Sequence, residues 1–193
     1  IPGFSDYLHP YDENHVIGVG KETEGNEWGG ISVKGVKLAL FDVSDVKNPK
    51  QIDAYEIGEA GTDSEALRDH KAFLFDKEKQ LLVVPMTVAE RKQGQDKSQE
   101  GEFTFQGAYV YNVNLQDGFK LKGRITHYDD EDVFKKSGYY FYGNDYNVKR
   151  SLYIDNILYT ISDGKIKLND LSDLEEIKEL KIKIPERDYP VYY

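Results

Sequence analysis

The 193-residue chain has no cysteine. That excludes a disulfide, a zinc ribbon and a thiol nucleophile, and it leaves the redox compartment unreadable from this feature. Long apolar runs are missing too. The longest, around Leu81–Met86, is strand-sized and falls far short of the ~18 residues of a membrane-crossing helix. Positive charge is scarce: 25 Lys and Arg stand against 35 Asp and Glu, a net charge of −10. Phosphate backbones and anionic lipid surfaces both need a basic face, so nucleic acid and membrane insertion of this segment are disfavoured. There is no GxSxG and no GxxxxGK[ST], and Gly18–Val19–Gly20 sits at a strand end with no helix behind it. The nucleophile elbow, the phosphate loop and the dinucleotide fingerprint are therefore absent. The sequence opens on Ile1 rather than Met, with no signal peptide. The expectation is a processed start or a longer parent.

What is abundant is aromatic and β-branched sequence: Phe, Trp and Tyr make up 13% of the chain, with 15 Tyr. That composition favours a folded, strand-rich protein. One pattern recurs three times: strand, tight acidic turn, strand, loop, strand ending in Asp/Asn turn chemistry, strand. The first copy runs SDYLHPY-DEN-HVIGVG, then GVKLALFDVSDVKNP and KQIDAYEI. The second runs HKAFLF-DKEK-QLLVVP, then GAYVYNVNLQDG and FKLKGRITH. The third runs VKRSLYI-DN-ILYTIS, then GKIKLNDLSD and LEEIKELKI. Repeats of about 40–45 residues, each with four short strands, predict propeller blades. The predicted class is all-β: about three four-stranded antiparallel blades over residues 5–57, 70–127 and 147–184, in a single domain 1–193. Three blades are fewer than the four or more that close a ring, so this is read as part of a longer propeller. LSDLEEIKEL over Leu171–Leu180 also has helical spacing, but its alignment with the other fourth strands favours strand.

In blade 3 the pattern looks amphipathic. Ile166 and Leu168 alternate with Lys165, Lys167 and Asn169, which predicts a terminal blade that tolerates water through its lysines. Blade 1, apolar on both faces at Val36, Leu38, Leu40, Ala39 and Phe41, is predicted to be the open side. Strand alternation puts the short turns at Asp12, Asp76 and Asp155 on one face. The long segments Lys21–Lys34, Thr87–Gln106, Gly58–Asp69 and His127–Asn147 fall on the other, where rigid scaffolds carry function.

SDYLHPYDENHVIGVG, LFDVSDVKNPKQI and DHKAFLFD resemble the family of secreted and surface-anchored proteins with a C-terminal β-propeller distantly related to WD40 repeats. The likeness runs from roughly Ile1 to Ile184. It implies a propeller longer than this chain, of which these are the C-terminal blades, and an extracellular or cell-surface location. It carries over no catalytic residues.

Candidate site residues follow from the predicted long-loop face. Trp28, Tyr139, Tyr140 and Tyr142, with Phe141 beside them, form a candidate aromatic platform for a protein or carbohydrate ligand; the competing reading packs alternate members between blades. Asp129, Asp130 and Asp132, with Glu131, are the candidate calcium ligands. However, a straight DDED run rarely supplies six to eight shaped oxygens, and a solvated acidic loop is preferred. His15 and His70, with His9 and Asp69 nearby, are expected in hydrogen-bond networks within the blades rather than at a metal, since no HxH or HxxxH spacing exists. The expected function is a non-enzymatic binding platform without an obligatory cofactor. Its expected partners are a ligand together with either the remaining blades or a second copy. The alternative is an extracellular hydrolase or lyase using acidic residues on the long-loop face, with calcium.

Overall fold

The computed structural model describes residues 3–25, 29–95, 99–130, 132–138 and 145–184. Within them, twelve strands form three four-stranded sheets, each built from contiguous sequence and antiparallel throughout. Blade 1 holds β1 (Phe4–Pro10), β2 (His15–Gly25), β3 (Ile31–Asp42) and β4 (Lys50–Ile57). Blade 2 holds β5 (Leu74–Asp76), β6 (Leu81–Glu90), β7 (Glu102–Asn114) and β8 (Gly118–Ile125). Blade 3 holds β9 (Arg150–Ile154), β10 (Ile157–Ile161), β11 (Lys165–Asp170) and β12 (Glu176–Lys181). The three blades predicted from the repeat are all present, and Leu171–Leu180 contributes a strand rather than a helix.

Short polar side chains close the turns. Asp12 accepts the Asn14 N–H at 2.9 Å and Asp76 that of Lys79 at 2.8 Å. At the third-to-fourth turns Asp42, Asn114 and Asp170 accept from Ser44, Gln116 and Ser172. These are Asx turns, which explains the Asp/Asn at the same place in every copy.

Two cores lie between the blades. Ile17, Val19, Val36, Leu38 and Leu40 of blade 1 meet Leu82, Val84, Met86, Tyr109 and Tyr111 of blade 2, and all but Tyr109 are fully buried. The opposite face of blade 2, with Leu81, Val83, Ala108, Val110 and Ile125, meets Leu158, Val148 and Leu171 of the third unit. Side chains of this size contribute roughly 1.5–3 kcal/mol each when fully buried.

Three expectations need correction. First, the segments Lys21–Lys34 and Thr87–Gln106 carry strand at both ends. Pairing continues to Gly25↔Ile31 and to Glu90↔Glu102, so each hairpin extends as a two-stranded ribbon. Second, the His127–Asn147 segment carries a short helix, α1 (Asp132–Ser137), whose Phe134 is buried. Third, of the blade 3 lysines expected to meet water, Lys181 and Lys183 are exposed but Lys165 and Lys167 are not. Lys165 and Lys167 share the face of Asn169 and Leu158, turned toward blade 2, and Lys165 is completely buried. Ile157, Tyr159, Ile161, Ile166 and Leu168 instead occupy the outer face.

Candidate functional site

Strand alternation sorts the connections as expected. The ends bearing Asp12 and Asp76 meet laterally: Lys77 Nζ lies 3.2 Å from Asp12, and Tyr153 OH donates to Asp76. At the other end the ribbons and blade connectors lock together. Asp63 and Thr87 exchange backbone hydrogen bonds at 2.8 Å, and Gly101 N–H donates to Ala60. The Arg91 guanidinium pairs with Glu59 at 2.8 Å.

On this ribbon face β6, β7 and α1 enclose a cleft of about 440 Å³ lined by Glu90, Arg91, Lys92, Glu102, Phe103, Thr104 and Phe134. Its apolar part is the two phenylalanines. Its rim is charged, with Lys92 Nζ 2.7 Å from Glu102. The ribbon builds this cleft: β6 and β7 stay paired past the sheet proper, and the Phe103 N–H donates to Gly138 just after α1. The alternation of Phe103 and Phe105 in EFTFQG is a strand signal inside the segment Thr87–Gln106, and both residues lie on β7.

A second polar constellation lies at the joint of blades 2 and 3. His127, just beyond β8, is buried with Nδ1 2.8 Å from Ser162 Oγ and Nε2 2.9 Å from Thr160 Oγ1. Burial, reinforced by the charges of Lys167 and Lys165, lowers its pKa to about 4, so the ring is neutral at pH 7. Beside it Lys165 Nζ lies 2.8 Å from both Asp129 and Glu179, and sits 5.7 Å above the Tyr146 ring. Burial disfavours the ammonium, but the two carboxylates outweigh it and the Lys165 pKa rises. Arg150, at the start of β9, reaches Asp69 at 2.6 Å, and with the Lys71 N–H it holds that carboxyl down at about 2. His127 was invisible as a site residue in the sequence, because its partners lie 33 and 35 positions away.

Trp28, Tyr139, Tyr140 and Tyr142 lie outside the described residues. Asp129 is held by Lys165. Asp130 accepts the Asp132 N–H at 2.8 Å, a turn contact leading into α1. Among the described residues no group of three or more His, Asp or Glu side chains converges as a metal cage. His15 binds the turn residue Asp12 at 2.7 Å, and His9 binds Tyr7 OH at 2.9 Å. The His70 ring lies 6.4 Å from that of Tyr7, which also packs edge-on to Phe73. Tyr7 and His9 on β1, with Tyr11 just after it, thus form one aromatic stripe facing Phe73 and Phe75 across the joint of blades 1 and 2.

Consecutive four-stranded blades with two sheet-on-sheet cores define the class: a β-propeller architecture. Sequence comparison agrees. The β-propeller domain family matches residues 1–174, and the chain belongs to that family. It is similar to an uncharacterised protein of Archaeoglobus fulgidus, 33% identical over 183 residues, which is 95% of this chain and 21% of that protein. It is also similar to an uncharacterised protein of Methanocaldococcus jannaschii, 29% identical over 95% of this chain and 22% of that protein. The chain spans about a fifth of the length of these relatives.

Proposed function

We propose that this chain is a non-catalytic propeller module whose ribbon face binds a peptide or carbohydrate. The observation that carries the reading is the cleft at Phe103 and Phe134: a mixed apolar floor and charged rim, held on paired strands rather than on a loose loop. Apolar surface supplies affinity and a few fixed polar groups supply orientation. The acidic residues of this face favour binding over hydrolysis. Glu59, Glu102 and Asp129 are each ion-paired, to Arg91, Lys92 and Lys165, and the Lys165 ammonium holds the Asp129 carboxyl below its ordinary pKa, away from the protonated form a general acid needs. The same pairing argues against calcium at Asp129. An extracellular or cell-surface setting rests on the family resemblance alone. Further blades, or a second copy, are the structural partners this reading calls for.

Titration calorimetry against peptide and oligosaccharide panels tests it. Binding of one class should weaken about 10-fold in Phe103→Ser, the loss typical of an interface anchor, with the fold intact. Turnover of any panel member would instead support the hydrolase reading, and binding unaffected by Phe103→Ser would remove the cleft as the site.

A further inference from the structure

At the short-turn end, opposite the ribbons, a second groove lies across the joint of blades 2 and 3. The β5–β6, β9–β10 and β11–β12 turns meet β7 and β8 there. Its volume is about 260 Å³, just under the roughly 300–1,000 Å³ of drug-sized sites. Buried Leu81 and Leu171 supply an apolar floor. Asn112 lies directly opposite Leu81 in the ladder, so its carboxamide stands on the same face. It is exposed and its side chain bonds to no described residue. Asn156 Nδ2 lies 2.8 Å from Asp170, which leaves its side-chain carbonyl oxygen without a donor among the described residues. Lys79 and Lys122 also line the groove, and no carboxylate does. Many lysines of this acidic chain sit on a carboxylate, as Lys37, Lys77, Lys92 and Lys149 do. Among the described residues Lys79 and Lys122 form no salt bridge. Lys122 Nζ donates to the Leu171 carbonyl instead, and Lys79 Nζ lies 5.1 Å above the Tyr153 ring. The carboxylates they influence, Asp76 and Asp170, already accept from Tyr153 and from Asn156 and Ser172. The groove therefore has a local positive potential that the molecule, with a net charge of −10, lacks as a whole.

We propose that this groove binds a hydroxylated carboxylate of monosaccharide size, of the uronic-acid class. The two ammonium groups receive the carboxylate, where charge-assisted hydrogen bonds are strong. Asn112 and Asn156 offer amide donors and acceptors to the ring hydroxyls. Leu81 and Leu171 receive the apolar face of the ring, in the usual division of a pocket between apolar area and a few orienting polar groups. Inorganic phosphate would use the lysines but leave the amides and leucines without a role. The site goes beyond the ribbon-face reading: it lies at the other end of the blades and shares no residue with the Phe103 cleft.

Isotope-labelled protein, titrated with galacturonate, galactose, trigalacturonate and inorganic phosphate, tests this through the NMR signals of the Asn112 and Asn156 side-chain amides. Galacturonate is expected to shift both saturably, about 10-fold more tightly than galactose, and to weaken with added salt, as screening of exposed charges requires. Lys79→Gln and Lys122→Gln should each weaken galacturonate about 10-fold, the loss of one hydrogen bond to a charged group. Lys122→Gln also removes the bond to Leu171, so Lys79→Gln, in an exposed turn, separates binding from folding. Tighter binding of trigalacturonate than of the monomer supports the proposal with an acidic glycan as the source, and equal binding supports it with a free sugar acid. Equal affinity for galactose and galacturonate, or binding unchanged in Lys79→Gln, overturns it. Phosphate binding with galacturonate silent overturns it in favour of a phosphate site. Galacturonate shifts confined to the surroundings of Phe103 overturn it in favour of the ribbon-face cleft. Phe103→Ser leaves this groove intact, so the two readings fail separately.

Discussion

Lys165 occupies the position that Lys37 and Gly107 hold in blades 1 and 2, five residues before the turn-end partners Asp42, Asn112 and Asp170. A Cβ on Gly107 would fall 2.2 Å from the Ile125 carbonyl oxygen. Gly107→Ala is therefore expected to cost about 1–3 kcal/mol through forced backbone movement, read as a lower denaturant midpoint. In blade 3 the fourth strand leaves room for a side chain, and the ammonium is met by Asp129 and Glu179. Their roles are not symmetric: Asp129 is largely solvated and Glu179 partly so, while Lys165 is not. Removing the cation in Lys165→Met lets both carboxylates return to water and should cost about 1–2 kcal/mol. Removing both anions, in Asp129→Asn with Glu179→Gln, strands a buried charge and should cost about 3–5 kcal/mol. Equal losses in urea denaturation would contradict this account. The alternation of Lys165 with Ile166 was legible in the sequence, but which of the two met water was not. Period-2 patterning separates the faces of a strand without saying which face a neighbour covers.

At the scale of the elements, the turns and strands were readable because each carries a local signal: an Asx acceptor at the turn and alternation along the strand. The length of the ribbons was not, since Lys21–Gly25 and Glu102–Phe105 mix charged and apolar residues and only their ladder partners make them strand. The joints between blades differ in chemistry. The joint of blades 1 and 2 is apolar and aromatic; that of blades 2 and 3 has a smaller apolar core and adds the polar cluster of His127, Lys165, Thr160 and Ser162. Leu38→Ala, at the first joint, should cost about 2–5 kcal/mol. Leu168→Ala, on the open face of the 193-residue chain, should cost less than about 1 kcal/mol, because a side chain left partly in water has less burial to lose. At the second joint His127 has a folded pKa below its unfolded value, so the neutral form is the one the fold favours. Its contribution is fully present above about pH 6.5 and is lost as pH falls from there toward about 4. The loss should amount to roughly 2–3 kcal/mol. His127→Leu should flatten that limb of the stability–pH curve, while costing about 1–3 kcal/mol at pH 7 because the buried Thr160 hydroxyl loses its imidazole partner and Ser162 keeps only the Lys165 backbone.

For the whole molecule, the candidate site was only partly foreseeable. The ribbon face was predicted from strand alternation, but Phe103 and Phe134 meet there through a helix and a ribbon that no short motif announces. The aromatic platform of Trp28, Tyr139, Tyr140 and Tyr142 falls on residues outside the described set. Chelation of calcium is expected to shift Tm by less than about 2 °C, because only an ion bound to the folded state stabilises it and Asp129 is already neutralised by Lys165. A larger fall in a thermal melt would mean a tightly held ion. The central claim is that blade 3 of this chain is an unfinished blade, held on one side by a titratable polar joint and open on its other, apolar face. Hydrogen exchange read by mass spectrometry on the 193-residue chain, expressed as protection factors at pH 7 and pH 5, tests this most directly. The account predicts that β10 and β11 are less protected than β2, β3, β6 and β7 at pH 7, and lose further protection at pH 5 while blades 1 and 2 hold. Uniform protection across the three blades at both pH values would contradict it.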